Sequence, residues 1–201
     1  MAATAVRYLR SVGAPTATEP FDALPRPDLR AVGDDERLPV DPAEFRRVLG
    51  HFASGVTVVT AHDEDGPAGF ACQSFASLSL DPPLVAFMVA RTSTTWPRIA
   101  RAGSFCVNVL GAHQGELCRG FAVSGADKFA GVPHAGSPVT GSPLLAGVPA
   151  WIDCTIQTVH TGGDHLIVVG RVVALGAAEG NADDEGAPLL FHRGKFGRFS
   201  A

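Results

Sequence analysis

Apolar positions from Asp41 onward follow two periods. Phe45, Val48, Leu49 and Phe52 fall at i, i+3, i+4 and i+7, one face of a helix. Asp41, Pro42 and Glu44 supply a cap acceptor, a proline at the first helical position and a capping-box carboxylate. Ser54-Gly55 marks the expected end of that helix. Strand patterns follow. Residues 56–60 are β-branched throughout, and a turn is expected at 63–66. A second strand is predicted over 68–75, bending into 76–80, until Asp81-Pro82-Pro83 breaks it. Residues 84–89 form a third, wholly apolar run. A short helix is expected over 94–102, with Thr94 or Thr95 as its cap, then a strand over 105–110 and a helix over 113–121.

Residues 124–149 are rich in Gly, Pro and Ser, which predicts a long ordered loop crossing the other elements. Two long strands are expected at 151–159 and 165–175, joined by Thr161-Gly162-Gly163-Asp164. A polar loop over 177–187 and short strands at 188–191 and 196–199 complete the chain. About seven strands without βαβ alternation predict a mainly β domain with small inserted helices, an antiparallel barrel and not a Rossmann sheet. Residues 1–40 differ. They carry five prolines (Pro15, Pro20, Pro25, Pro27, Pro39) and no sustained apolar period, so they are expected to form a disordered tail ahead of one domain at 41–201.

Composition narrows the function classes. In 201 residues, 46% are hydrophobic and 18% charged, as in a globular domain. A net charge of −4 without clustered Lys or Arg argues against nucleic acid. No apolar run is long enough for a membrane span, and no secretion signal is apparent, so a cytoplasmic protein is expected. Cys72, Cys106, Cys118 and Cys154 form no C-x-x-C pair and read as buried reduced thiols. His62 and His113 lack paired ligand spacing, so no metal site is expected. There is no G-x-G-x-x-G, no phosphate-binding P-loop and no G-x-S-x-G.

One segment stands out: Gly69-Phe70-Ala71-Cys72-Gln73-Ser74-Phe75-Ala76-Ser77-Leu78-Ser79-Leu80-Asp81-Pro82-Pro83. Small and hydroxylated residues fill a strand that should be bulky. It reads equally as a weak edge strand, or as a strand against which a flat ligand lies. Gly69 and Ala71 would leave room, and Gln73 and Ser74 would supply polar groups.

This segment resembles the flavin-binding signature of the short-chain flavin reductases, within the flavin reductase-like, FMN-binding split-barrel family. Further blocks occur in the family's order: residues 45–57, Ser93-Thr94-Thr95-Trp96, Phe105-Cys106-Val107-Asn108-Val109-Leu110, Asp127-Lys128-Phe129, Gly163-Asp164-His165 and Leu189-Leu190-Phe191-His192-Arg193-Gly194. The likeness is greatest to reductase subunits of two-component flavin-dependent monooxygenases. Ala71 stands where many relatives carry Thr or Ser, Gln73 where they carry Ser, and His192 where Tyr is common.

The resemblance implies a split-barrel NAD(P)H:flavin oxidoreductase that supplies reduced FAD or FMN to a separate monooxygenase. Gly69, Phe70, Ala71, Gln73 and Ser74 would hold the ring and ribityl chain, and Met88, Val89 and Ala90 would flank the flavin. Thr94 and Thr95 would bind its phosphate, and Gly120 and Phe121 would touch it. Gly163, Asp164 and His165 would meet NADH or NADPH, with His165 as the catalytic candidate. The absence of a basic cluster near Gly163–His165 favours NADH, unless Arg193 or Arg198 folds nearby. The resemblance also implies a homodimer. Two other readings stay open: a flavin-binding split barrel without turnover, and a flavin-mediated ferric reductase.

Overall fold

The computed structural model describes residues 40–125, 127–178 and 187–199. The expected tail, apart from Val40, and most of the polar loop expected at 177–187 lie outside the described residues.

The element order is α1 (Pro42–Leu49), β1 (Ser54–Gly55), β2 (Thr57–Asp63), β3 (Gly66–Cys72), β4 (Ala76–Leu80), β5 (Pro83–Ala90), α2 (Trp96–Ala102) and β6 (Ser104–Val109). A 3₁₀ turn (Ala112–Gln114) leads into α3 (Gly115–Ala122). Then come β7 (His134–Gly136), β8 (Pro143–Leu145), β9 (Ala150–Gly162), β10 (His165–Ala177), β11 (Leu189–His192) and β12 (Lys195–Arg198). The central sheet has seven strands in the order β3-β2-β6-β9-β10-β5-β4, all neighbours antiparallel. No described helix is long and apolar enough to cross a membrane.

The expected continuous strand over 68–80 is in fact two. β3 pairs with β2 at one end of the sheet, and β4 pairs with β5 at the other. Consecutive strands at opposite edges fold the sheet round on itself. The seam is bridged by a side chain: the Ser74 hydroxyl donates to Met88 O and accepts from Met88 N, both at 2.9 Å. A hydroxyl thus replaces a ladder residue where the strands part.

β2 explains why its run is β-branched without alternation. Val59 and Ala61 enter one core with Phe87, Phe105, Val107, Ile99 and Val168. Val58 and Val56 enter another with Leu110, Phe121, Leu145 and Leu189. A strand covered on both faces has no polar side to present. The Gly/Pro/Ser-rich segment, expected to be a loop throughout, carries the two-stranded antiparallel ladder of β7 and β8 and is held by buried polar groups. Asn108 donates through Nδ2 to Val58 O and Pro143 O, and accepts from Leu145 N at 2.8 Å. Asp153 accepts from Val139 N, Thr140 N and the Thr140 hydroxyl. Buried polar groups are costly unless paired, so these bonds fix the loop's path.

All four cysteines are buried and free. Burial pushes the Cys106 and Cys154 thiols up to about 12, so both stay protonated and inert at neutral pH. α1 forms as its pattern predicts but ends at Leu49, before Ser54. Its apolar face is exposed: Phe45, Val48 and Leu49, with Phe52 just beyond, do not enter either core. Glu44 pairs with Arg47 one turn on.

Candidate functional site

A cleft of about 650 Å³ opens along the seam between β3 and β5. Phe70, Ala71, Gln73 and Ser74 line it from the β3 side, and Met88, Val89 and Ala90 from the end of β5. Thr94 and Thr95 line it from the loop before α2, Phe121 from α3, and His165 from the start of β10. These residues were each singled out in the sequence, and the fold brings them together from segments far apart in the chain.

The remaining candidates sit elsewhere. Gly69 is not among the lining residues: a Cβ there would lie 2.9 Å from the Phe121 ring and 3.1 Å from Val59 O. The room it leaves is filled by Phe121, which is fully buried. Gly120, Gly163 and Asp164 are also absent from the lining. Gly163 serves the turn. Its φ of +69° lies at the first of two loop residues between β9 and β10, the position that a II′ hairpin reserves for glycine.

That turn sets His165. His165 pairs with Ala90 across β10 and β5, and Arg91 N donates to Asp164 O at 3.0 Å, clamping the hairpin to the end of β5. His165 Nδ1 lies 2.8 Å from Asp164 Oδ1. A carboxylate only accepts, so Nδ1 carries the proton and Nε2 is the acceptor of the neutral ring. The His165 side chain is 45% exposed and that of Asp164 94%. The Asp164 carboxyl is held below its ordinary range by this hydrogen bond and by the imidazole's charge.

Ser74 is less available than its sequence position suggests, since both its donor and one acceptor site are spent on Met88. Gln73, by contrast, is exposed. The helix expected to begin at Thr94 begins at Trp96, and Thr95 makes no side-chain cap bond. Ser93 accepts from Trp96 N instead, at 3.2 Å. The Thr95 hydroxyl is therefore not consumed by the helix it precedes.

Sequence reasoning missed several lining residues, among them Val56, Cys118, Lys128, Phe191 and Phe196. Lys128 and Phe191 lie in family-like blocks, which was the available signal; nothing local placed them at this cleft. Gln73 and Phe191 are shared with a second cavity of about 730 Å³ under α1. Arg46 and Arg193 also line it. Arg193 and Gly194 have φ of +50° and +79°, the type I′ hairpin pattern. An arginine held in the left-handed region costs about 1–2 kcal/mol relative to extended backbone. Arg193 is therefore at this second cavity, and Arg91 is the basic residue beside the Gly163–His165 turn.

The cleft fits a flavin. Its volume is in the usual range for cofactor sites. Its walls combine apolar Val56, Phe70 and Val89 with the hydroxyls of Thr92, Thr94 and Thr95 and one ammonium, Lys128.

Comparisons with known proteins agree. The reductase subunit HsaB of a flavin-dependent monooxygenase from Rhodococcus jostii is 50% identical over 157 residues, covering 78% of this chain and 77% of that protein. The crystal structure of nitrilotriacetate monooxygenase component B from Mycobacterium thermoresistibile superposes with a TM-score of 0.74 at 46% identity, covering 79% of this chain and 86% of that one. The Streptomyces globisporus NADH:FAD oxidoreductase SgcE6, solved with NAD and FAD fragments, gives a TM-score of 0.73 at 36% identity over 82% of this chain and 98% of that one. Residues 49–200 match the family described as the flavin reductase like domain, and the chain belongs to that family.

Proposed function

We propose that this protein is an NAD(P)H-dependent flavin reductase that passes reduced FAD or FMN to a separate flavin-dependent monooxygenase. The observation that carries the reading is the gathering of β3, the end of β5, the loop before α2 and His165 around one cleft. A bound flavin supplies the hydride acceptor; the chain's task is to hold two flat rings in contact at roughly 3–3.5 Å. Phe70, Ala71 and Gln73 support the ring, with Met88 to Ala90 beside it. Thr94 and Thr95 meet the flavin phosphate. His165, with Nδ1–H fixed on Asp164, offers Nε2 to the carboxamide of the nicotinamide. The cavity beyond Gln73 and Phe191, with Arg46 and Arg193, has room and charge for the rest of the nicotinamide nucleotide.

A homodimer accompanies this reading. Leu78 and Leu80 on the edge strand β4, Met88 beside the cleft, and the face of α1 expose large apolar groups that a second copy would cover. The four free thiols suit the reducing cytoplasm, where the nicotinamide pool is also found.

The test is NADH and NADPH oxidation by flavin-free protein, with riboflavin, FMN and FAD added in turn. Oxidation should require flavin. Equal oxidation without it overturns the proposal. Flavin binding without oxidation identifies a flavin-binding protein, and preferential reduction of ferric complexes identifies a ferric reductase.

A further inference from the structure

One wall of the cleft does not belong to the seven-stranded sheet. Phe191 and Phe196 line it from β11 and β12, which form a separate three-stranded sheet with β1. The two residues are partners across the β11–β12 ladder, and their rings meet edge to face with centroids 5.5 Å apart. Both are half-buried against the second core. Phe191 also borders the cavity under α1, so this pair of rings stands where the two cavities join.

Phe196 has open space beside it as well. It lines the cleft and also a third cavity of about 410 Å³, which Gly115, Arg119 and Gly197 help to bound. A ring beside a cavity is held by fewer close contacts than a ring inside a core. A cation supplies part of what packing does not. The Arg119 guanidinium, from α3, lies 5.2 Å from the centroid of the Phe196 ring. Arg119 also pairs with Glu116 one turn earlier on the helix. Its own side chain is not part of the cleft lining, so it reaches the site through the ring.

We propose that Arg119 is a positioning residue for hydride transfer: by holding Phe196, and through it Phe191, it fixes the wall against which the two flat substrates stack. Without the guanidinium, Phe196 can turn toward the third cavity. Hydride transfer depends on a near-attack contact of roughly 3–3.5 Å, so a small displacement of the wall slows the reaction while both ligands still bind.

The inference rests on the flavin-reductase reading. Its test is the rate constant for anaerobic flavin reduction at saturating NADH, followed by stopped-flow absorbance, with flavin Kd and Tm measured on the same proteins. Arg119→Met should slow reduction roughly 2–5-fold and leave flavin Kd within about twofold, as expected for one cation–ring contact near the surface. Its Tm should fall by no more than about 4 °C. Arg119→Lys keeps a cation near the ring and should recover most of the rate. Glu116→Gln removes an exposed ion pair and should leave the rate within about twofold. Phe196→Leu should slow reduction by itself, and adding Arg119→Met to it should cost nothing more, because the two residues act through one contact. Independent, additive losses in the double variant would show that Arg119 acts by another route. A lower Tm with an unchanged reduction rate would make the contact purely structural. Either result overturns the proposal. If Phe196→Leu does not fold, the Met and Lys variants decide alone, and equal rates for the two overturn it. Absence of NADH-dependent flavin reduction by the unaltered protein overturns the reductase reading itself, and the positioning role with it.

Discussion

Two carboxylates paired with basic side chains sit in hairpin turns of this protein and do opposite work. Asp63 ends β2. Its side chain is 4% exposed and meets Arg98 at 2.5 Å and Arg101 at 2.9 Å. Arg98 also donates to Gly66 O and Pro67 O, so one guanidinium staples α2 to the β2–β3 turn. Asp164 is the second residue of the β9–β10 turn, is 94% exposed, and pairs with His165. The first group is shielded and multiply bonded, and it holds the fold. The second is open to water and worth little to stability, but it fixes which nitrogen of a cleft-lining imidazole carries the proton. Shielding and the number of partners, not the pairing itself, separate the two roles.

The largest expected effect tests the first half of that contrast. Asp63→Ala should lower Tm by roughly 5 °C or more, because Arg98 and Arg101 lose their shared partner, while kcat/KM of the folded protein changes less than about twofold. Calorimetry alongside steady-state kinetics checks this; lost activity at an unchanged Tm would reverse the assignment. His165→Ala should do the opposite. One or two lost polar contacts, about 1–3 kcal/mol, lower kcat/KM for NADH roughly 5–150-fold, with flavin affinity and Tm nearly unchanged. A fall in Tm with intact NADH kinetics would make His165 a structural residue.

Acid should sharpen the contrast further. The Arg98 hydrogen bond, and to a lesser degree Arg101, hold the Asp63 carboxyl far below its ordinary value. A depressed folded pKa means that the stabilisation is complete above the unfolded value, near about 4, and is lost as pH falls toward the folded one. Between pH 6 and 3, Tm should therefore fall more for the unaltered protein than for Asp63→Asn. Parallel curves would show that the Asp63 charge contributes nothing. The smallest effect belongs to Asp164→Asn. It should lower kcat/KM for NADH by less than about fivefold at low salt, without moving Tm, and the loss should shrink as salt rises.

Legibility in the sequence tracked the range of the interaction. The strand at residues 56–60, the turn before His165 and the paired long strands were readable because period and turn chemistry are local. The start of α1 was readable too, but not its end: the helix stops at Leu49, before Ser54, and its apolar face stays exposed. A helical stripe states that something covers it, not what. The candidate cleft residues came largely from a family resemblance spread over most of the ordered chain. Resemblance carries positions but not the use to which each atom is put. Ser74, expected to serve the ligand, lines the cleft and also bridges the seam; at Gly69, expected to leave ligand space, the Phe121 ring lies where a Cβ would be.

By itself, then, the sequence determined a mainly antiparallel domain and its hairpins. Those follow from side-chain period, β-branching and the backbone demands of Gly and Pro, all set within a few residues. Only the tertiary structure decided that β3 and β4, adjacent in the chain, lie at opposite edges of one sheet. It also decided that Lys128, from a loop after α3, reaches β3 at Gly69 O. Closing a sheet depends on pairings between residues far apart in sequence, whose free energy is realised only once the intervening chain is ordered. The cleft lies on that closure, so its lining could not be read from any one stretch of the chain.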